Sequence, residues 1–280
     1  MHGTMTAMTD QGERYDRMAA GYERWWAPVL APSAVALLDR LEPSVDSGAV
    51  DLLDVGIGTG NLAIPALSRW PSVRVTGIDA SSEMAGSARA LAEERLPAAT
   101  RVRLDVVTAF ADALPFGDGS FDAAMSSFVF QLVPSRPGAF REVHRVLRPG
   151  GTLAYVTWLT DRSPFAPDRV FDALLDEYGF DDAEGNDRAG DIPSVKTAAG
   201  ELRHAGFRDV EAHAATLEYR FTVSGYISFL VEFDEETLFD EMPTAERRRF
   251  LATFRERLMA LSEDEMTFRA PIVYATGRRS

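Results

Sequence analysis

The chain has 280 residues, a formal charge of −14, four histidines, no cysteine and a single lysine, Lys196. That length suits one or two domains around a large buried core, and the missing cysteine excludes disulfides, zinc ribbons and thiolate nucleophiles. The acid excess leaves few charges to neutralise a phosphate backbone, so nucleic acid is not an expected partner.

Residues 1–12 lack hydrophobic periodicity and read as a flexible tail with neither the basic head nor the apolar stretch of a signal peptide. No later apolar run reaches the ~18 residues of a membrane span, so the expected location is cytoplasmic and no membrane partner is expected. Tyr15, Met18, Tyr22, Trp25, Trp26, Val29 and Leu30 recur at mixed helical spacing, which predicts a helical cap over 13–45. From Val50 the texture becomes β-α-β-α, in VDLLDVG, NLAIPALSRW, VRVTGID and SSEMAGSARALAEERL. Further strands are expected at VRLDVV, FDAAMSSFVF and GTLAYVTW, with a helix from Arg136 that Gly150 and Gly151 stop after Pro149.

Strands alternating with helices over 50–160 imply a parallel sheet covered on both faces, with ligands beyond the carboxyl ends of its strands. Residues 161–195 read as a lid-like insertion holding a helix, RVFDALLDEYGF, and an acidic loop, DDAEGNDRAGD. A helix over 195–207, a strand VEAHAATLEYRF, a helix carrying Phe250, Phe254, Leu258 and Leu261 on one face, and a final strand APIVYATGR complete the chain. Residues 13–280 are read as a single domain.

The informative segment is Asp54-Val-Gly-Ile-Gly-Thr-Gly, where a buried strand passes into a helix. Gly56, Gly58 and Gly60 allow a ligand close to the backbone while the helix aims unpaired N–H groups at it, although a tight turn alone also needs glycine. The dinucleotide pattern GxGxxG fails at Asn61, so the spacing is GxGxG. Asp79 ends the next strand, 19 residues after Gly60, near the interval at which an acid meets ribose hydroxyls. The competing role for Asp79 is that of an acid ahead of a helix N-terminus. No basic residue lies in the loop or its helix before Arg69, so the pair Asp54 and Asp79 suits a cationic ligand better than a diphosphate.

This loop resembles motif I of class I S-adenosylmethionine-dependent methyltransferases. ALPFGDGSFD at 113–122, REVHRVLRPGGTLAYVTW at 141–158 and RYDRMAAGYERW near the N-terminus are similar to the ubiquinone/menaquinone-biosynthesis type of small-molecule enzyme within that family. The resemblance implies a doubly wound, Rossmann-like, mostly parallel seven-stranded α/β sheet, with S-adenosyl-L-methionine as cofactor. By resemblance, Asp54 with the backbone of Gly56 and Gly58 holds the methionine end, in a loop completed by Gly60. Asp79, beside Ala80, takes the ribose hydroxyls and Met84 packs on adenine. The acid expected before ALPF is replaced by Phe110, so either Phe110 with Ala111 or Asp112 serves the base. The end of strand 4, Ser126-Ser127-Phe128, borders the methionine and the transferring methyl with its backbone and the Phe128 ring, and Tyr15 and Tyr22 close over the cofactor or serve as core aromatics.

Methyl transfer chiefly requires nucleophile, methyl and sulfur to be aligned in a dry site, worth ~7–11 kcal/mol, so no obligatory catalytic residue is assigned. His2, His144, His204 and His213 are too dispersed for a metal site, and none stands out as a general base. Trp25, Phe128, Gln131 and Trp158 are candidate contacts to a small-molecule acceptor, with Trp26 and Phe165 nearby. The acceptor and the O, N or C atom methylated stay open, as does the oligomeric state. The competing functions are a non-catalytic binding or regulatory protein on the same fold and a nicotinamide-dependent oxidoreductase.

Overall fold

The computed structural model describes residues 21–160, 164–180 and 190–280, so Tyr15, His2 and most of the acidic loop lie outside the described residues. The chain enters through a π-helical turn, Tyr22–Trp26, continuous with α1, Ala27–Leu38. A short helix α2, Glu42–Asp46, then leads to β1, Asp51–Val55. The alternation continues through α3, Ala63–Arg69, β2, Arg74–Asp79, α4, Ser82–Arg95, α5, Ala98–Arg101, and β3, Leu104–Thr108. Next come β4, Phe121–Ser127, α6, Arg136–Val146, β5, Leu147–Trp158, α7, Ala166–Tyr178, and α8, Val195–His204. The remainder comprises β6, Phe207–Arg220, α9, Val223–Phe229, a second π-helical turn Leu230–Asp234, α10, Glu236–Glu241, α11, Thr244–Met259, and β7, Thr267–Arg279.

The seven strands form one sheet in the order β3-β2-β1-β4-β5-β7-β6. β1 pairs in parallel with β2 and with β4, whereas β7 runs antiparallel to both β5 and β6. The order reverses between β1 and β4, the position at which an open α/β sheet offers a crevice. Alternation along each strand divides the core between two faces: Leu52, Ala154, Val156 and Trp158 pack on one, Leu53, Leu153 and Tyr155 on the other. No described helix is long and apolar enough to cross a membrane.

Local chemistry explains most boundaries. Ser81 accepts from the Met84 N–H at 3.0 Å and Ser194 from the Thr197 N–H at 3.1 Å, each an N-cap worth about 1 kcal/mol. Gly179 closes α7 at φ +75°, a left-handed cap that suits glycine. The end of α6 corrects the sequence expectation. The helix stops at Val146 and β5 already begins at Leu147, which pairs with Phe121 ahead of the register shift that accommodates Pro149, Gly150 and Gly151. Arg148 precedes proline and is thereby biased to extended backbone, so the turn belongs to the strand and not to the helix. Phe128, Val129 and Phe130 also fall outside β4, which ends at Ser127.

At the far edge, β6 is 14 residues long and presents exposed Arg208, Glu211, His213, Glu218 and Arg220. A register shift interrupts its pairing between Arg208 and Glu211, where Asp209 has φ +49°.

Candidate cofactor site

β1 delivers Asp54 and the glycine loop to the crevice. Gly56, Gly58 and Gly60 have φ of +73°, +52° and +93°, the left-handed region that L side chains rarely adopt. At Gly56 an added Cβ would lie 2.3 Å from the Val129 side chain, so this glycine lets the segment after β4 close onto the loop. At Gly58 an added Cβ would meet nothing within 4 Å, and the residue borders the cavity. The loop is laid on β2 by the Ile57 N–H donating to the Ile78 carbonyl at 2.8 Å. Gly77 leaves room for Ile57, whose side chain would lie 2.3 Å from a Cβ there.

Asp79 joins the two strand ends. One carboxylate oxygen accepts from the Gly58 N–H at 2.8 Å and the other from the Ser81 N–H at 3.0 Å. Asp54 stands in a different environment: it is 1% exposed and neither carboxyl oxygen makes a hydrogen bond. Burial first, and the neighbouring Asp79 second, push its pKa up to about 8, opposed by the nearby Ala63 backbone amide.

The cavity brings together many of the residues singled out from the sequence. Asp54, Gly56 and Gly58 border it from β1, and Asp79, Ala80 and Met84 border it from β2 and α4. Phe110, Ala111 and Asp112 all reach it from the segment after β3, and Tyr22 and Phe128 close other sides. Gly60 does not border the cavity, and its φ serves the turn itself, closed by the Gly60 N–H donating to the Ile57 carbonyl at 2.8 Å. Ser126 also stands back. It is fully buried with its hydroxyl donating to the Val55 carbonyl at 2.8 Å, while Ser127, one residue on, faces the cavity.

The acceptor candidates divide in the same way. Phe128 reaches the cavity and packs on Trp158 with ring centroids 4.3 Å apart, and Trp26 continues the cluster at 6.3 Å from Trp158. Phe165 lies deeper, edge-on to Tyr226 and Phe268. Trp25 is half-buried against the core and does not border the cavity, its indole N–H donating to Glu232 at 3.2 Å. Gln131 is engaged internally, donating to the Phe128 carbonyl at 2.7 Å and accepting from the Thr157 hydroxyl at 2.6 Å. Among the described residues no histidine borders the cavity: His144 packs edge-on against Phe207, and His204 and His213 are exposed. Sequence reasoning missed Leu132, Val133 and Pro134, which complete the wall after β4. Their only signal is an apolar run continuing past the strand.

A sheet of this order, with a glycine loop after β1 and an acid closing β2, defines the class I methyltransferase fold. Residues 53–155 match the family described as Methyltransferase domain (Methyltransf_11). The chain is 33% identical over 224 residues to the ubiquinone/menaquinone biosynthesis C-methyltransferase UbiE of Paracoccus denitrificans, covering 75% of this chain and 84% of that one. It therefore belongs to the class I S-adenosylmethionine-dependent methyltransferases, ubiquinone/menaquinone-biosynthesis type. Among solved structures it is similar to the [4+2]-cyclase SpnF, with a TM-score of 0.56 at 23% identity over 89% of this chain and 80% of that one. A phosphoethanolamine N-methyltransferase 2 of Haemonchus contortus gives a TM-score of 0.55 at 17% identity, covering 97% of this chain and 59% of the other. The enzyme is a methyltransferase that uses S-adenosylmethionine as methyl donor.

Proposed function

We propose that the cavity between β1, β2 and β4 holds S-adenosylmethionine, with Asp79 accepting the ribose hydroxyls and Asp54 facing the cationic methionine end. The observation that carries this reading is the pairing of two unlike acids across one glycine loop. Asp79 is fixed by two backbone N–H groups at the cavity edge, with one carboxylate aimed by both strand ends. Asp54 is a buried carboxyl whose two oxygens lack hydrogen bonds, a costly arrangement that an ammonium or sulfonium nearby would relieve. The open space above Gly58 supports close approach of the methionine backbone. Met84 and the segment Phe110 to Asp112 serve the adenine, and Tyr22 covers the cavity from the N-terminal π-turn.

Bound S-adenosylmethionine supplies a methyl carbon activated by its sulfonium. The protein excludes water with Leu132, Val133 and Phe128 and presents aromatic faces able to contribute ~0.5–2 kcal/mol toward a cation. Alignment in a dry site is the main contribution asked of these residues. On the acceptor side we propose a small, largely apolar molecule, supported by the cavity wall of Phe128, Leu132, Val133 and Pro134, with Trp158 packed behind the Phe128 ring. Among the described residues, the ionisable side chains bordering the cavity, Asp54, Asp79, Asp112 and Tyr22, belong to the cofactor side in this reading. Calorimetric titration with S-adenosylhomocysteine tests it: saturable binding that Asp79→Ala weakens is expected, and a folded wild-type protein that binds neither S-adenosylhomocysteine nor S-adenosylmethionine overturns it.

A further inference from the structure

Phe128 is one of two described non-glycine residues with positive φ, at +56°. A bulky residue in that region costs of order 1–3 kcal/mol and persists only where its surroundings hold it. Here the holding groups can be named. The Phe128 N–H donates to the Val156 carbonyl at 2.8 Å, so β5 grips the backbone just beyond the end of β4. The Phe128 carbonyl accepts from the Gln131 side-chain amide at 2.7 Å, and the other end of that amide accepts from the Thr157 hydroxyl at 2.6 Å. Thr157 is fully buried. Its neighbour Trp158 packs on the Phe128 ring at 4.3 Å. Consecutive residues of β5 thus secure the backbone and the ring of the same phenylalanine. Gly190 also packs against the Gln131 backbone, since a Cβ there would lie 1.8 Å from the Gln131 carbonyl oxygen. The Gly190 carbonyl is itself held by Arg136 at 2.6 Å.

We infer that Gln131 is a positioning residue for methyl transfer, holding Phe128 in its left-handed conformation so that its ring forms the cavity wall beside the cofactor. The inference rests on the cofactor reading above. It assigns Gln131 a role through Phe128 and not as a contact to the acceptor. The amide is suited to this task because it donates at one end and accepts at the other. A leucine of similar size would leave the buried Phe128 carbonyl without this donor.

The test is titration of S-adenosylhomocysteine into the wild type, Gln131→Leu, Thr157→Val, Thr157→Ser, Phe128→Ala and the double variant Phe128→Ala with Gln131→Leu, each checked for folding by circular dichroism. Gln131→Leu and Thr157→Val should each weaken binding by ~10-fold, the scale of one lost hydrogen bond. Thr157→Ser, which keeps the hydroxyl, should restore wild-type affinity, and Gln131→Leu should add nothing in the Phe128→Ala background. If Gln131→Leu does not fold, the isosteric Thr157→Val carries the comparison. Wild-type affinity in folded Gln131→Leu or folded Thr157→Val overturns the inference, as does an undiminished Gln131→Leu effect without the Phe128 ring. A wild type that leaves S-adenosylhomocysteine unbound overturns the cofactor reading and this inference with it.

Discussion

The two halves of the sheet are built by different means. Around β1 and β2 the structure depends on backbone: three glycines at positive φ, and a carboxylate joining the Gly58 and Ser81 amides. Around β5 and β7, and the helices beyond them, it depends on rings from distant parts of the chain. Phe171 meets Phe239, Phe250 and Phe254, and Phe221 meets Phe165, Tyr226 and Phe229. The first half spends its sequence on holding a ligand close to the main chain; the second gains its stability from buried apolar area. A substitution in the first should therefore change binding more than stability, and one in the second the reverse.

The largest expected effect is on stability. Phe254→Ala removes a fully buried ring and should lower unfolding free energy by ~3–5 kcal/mol in denaturant titration, while any fraction that remains folded binds S-adenosylhomocysteine normally. A matching loss of affinity would show that the two halves are not separable. Next, Asp79→Ala should weaken S-adenosylhomocysteine binding by ~1–3 kcal/mol, the scale for hydrogen bonds to a charged group, with a smaller change in melting temperature. Gly58→Ala and Gly56→Ala sharpen the contrast further. Both strain a positive φ by roughly 1–2 kcal/mol, but the added methyl faces the cavity at Gly58 and Val129 at Gly56. Calorimetry should register mainly the first, and thermal unfolding mainly the second.

A separate contrast is a pH slope. Burial pushes the Asp54 pKa up to about 8 from an ordinary value of 3.8. The folded form therefore holds one more proton than the unfolded chain between those limits, and stability falls as pH rises from about 4 to about 8. Asp54→Asn removes that contribution and should flatten the melting temperature against pH over the window. A slope identical to the wild type would mean that Asp54 is already ionised in the fold.

The same division explains what the sequence disclosed. Asp54, the glycine loop and Asp79 were readable because each acts through its own backbone or a near neighbour, so spacing along the chain carries the information. The strands from β1 to β5 followed from alternating texture for the same reason. The π-turns Tyr22–Trp26 and Leu230–Asp234 were not readable. They pack against each other through Tyr22 and Phe233, with Glu232 meeting both Arg24 and Trp25, a contact between segments some 200 residues apart. Phe128 looked like the continuation of a strand, since FVF has strand composition, and only the tertiary grip of Val156, Thr157 and Gln131 turns it aside. Position along the chain makes Gln131 a candidate acceptor contact, whereas its side-chain partners, the Phe128 carbonyl and the Thr157 hydroxyl, come from the tertiary fold.

The outermost strand has a bearing on how copies of this molecule meet. A 14-residue edge such as β6 offers its free amides and carbonyls as a template for a neighbouring sheet. Exposed Arg208, Glu211, His213, Glu218 and Arg220 surround that edge with charge, and the offset at Asp209 breaks its straight run near one end. Crowded copies consequently find no flat rail to extend, which opposes fibre growth through the sheet. Replacing those charges with threonine would keep the fold's interior intact and remove its guard against aggregation.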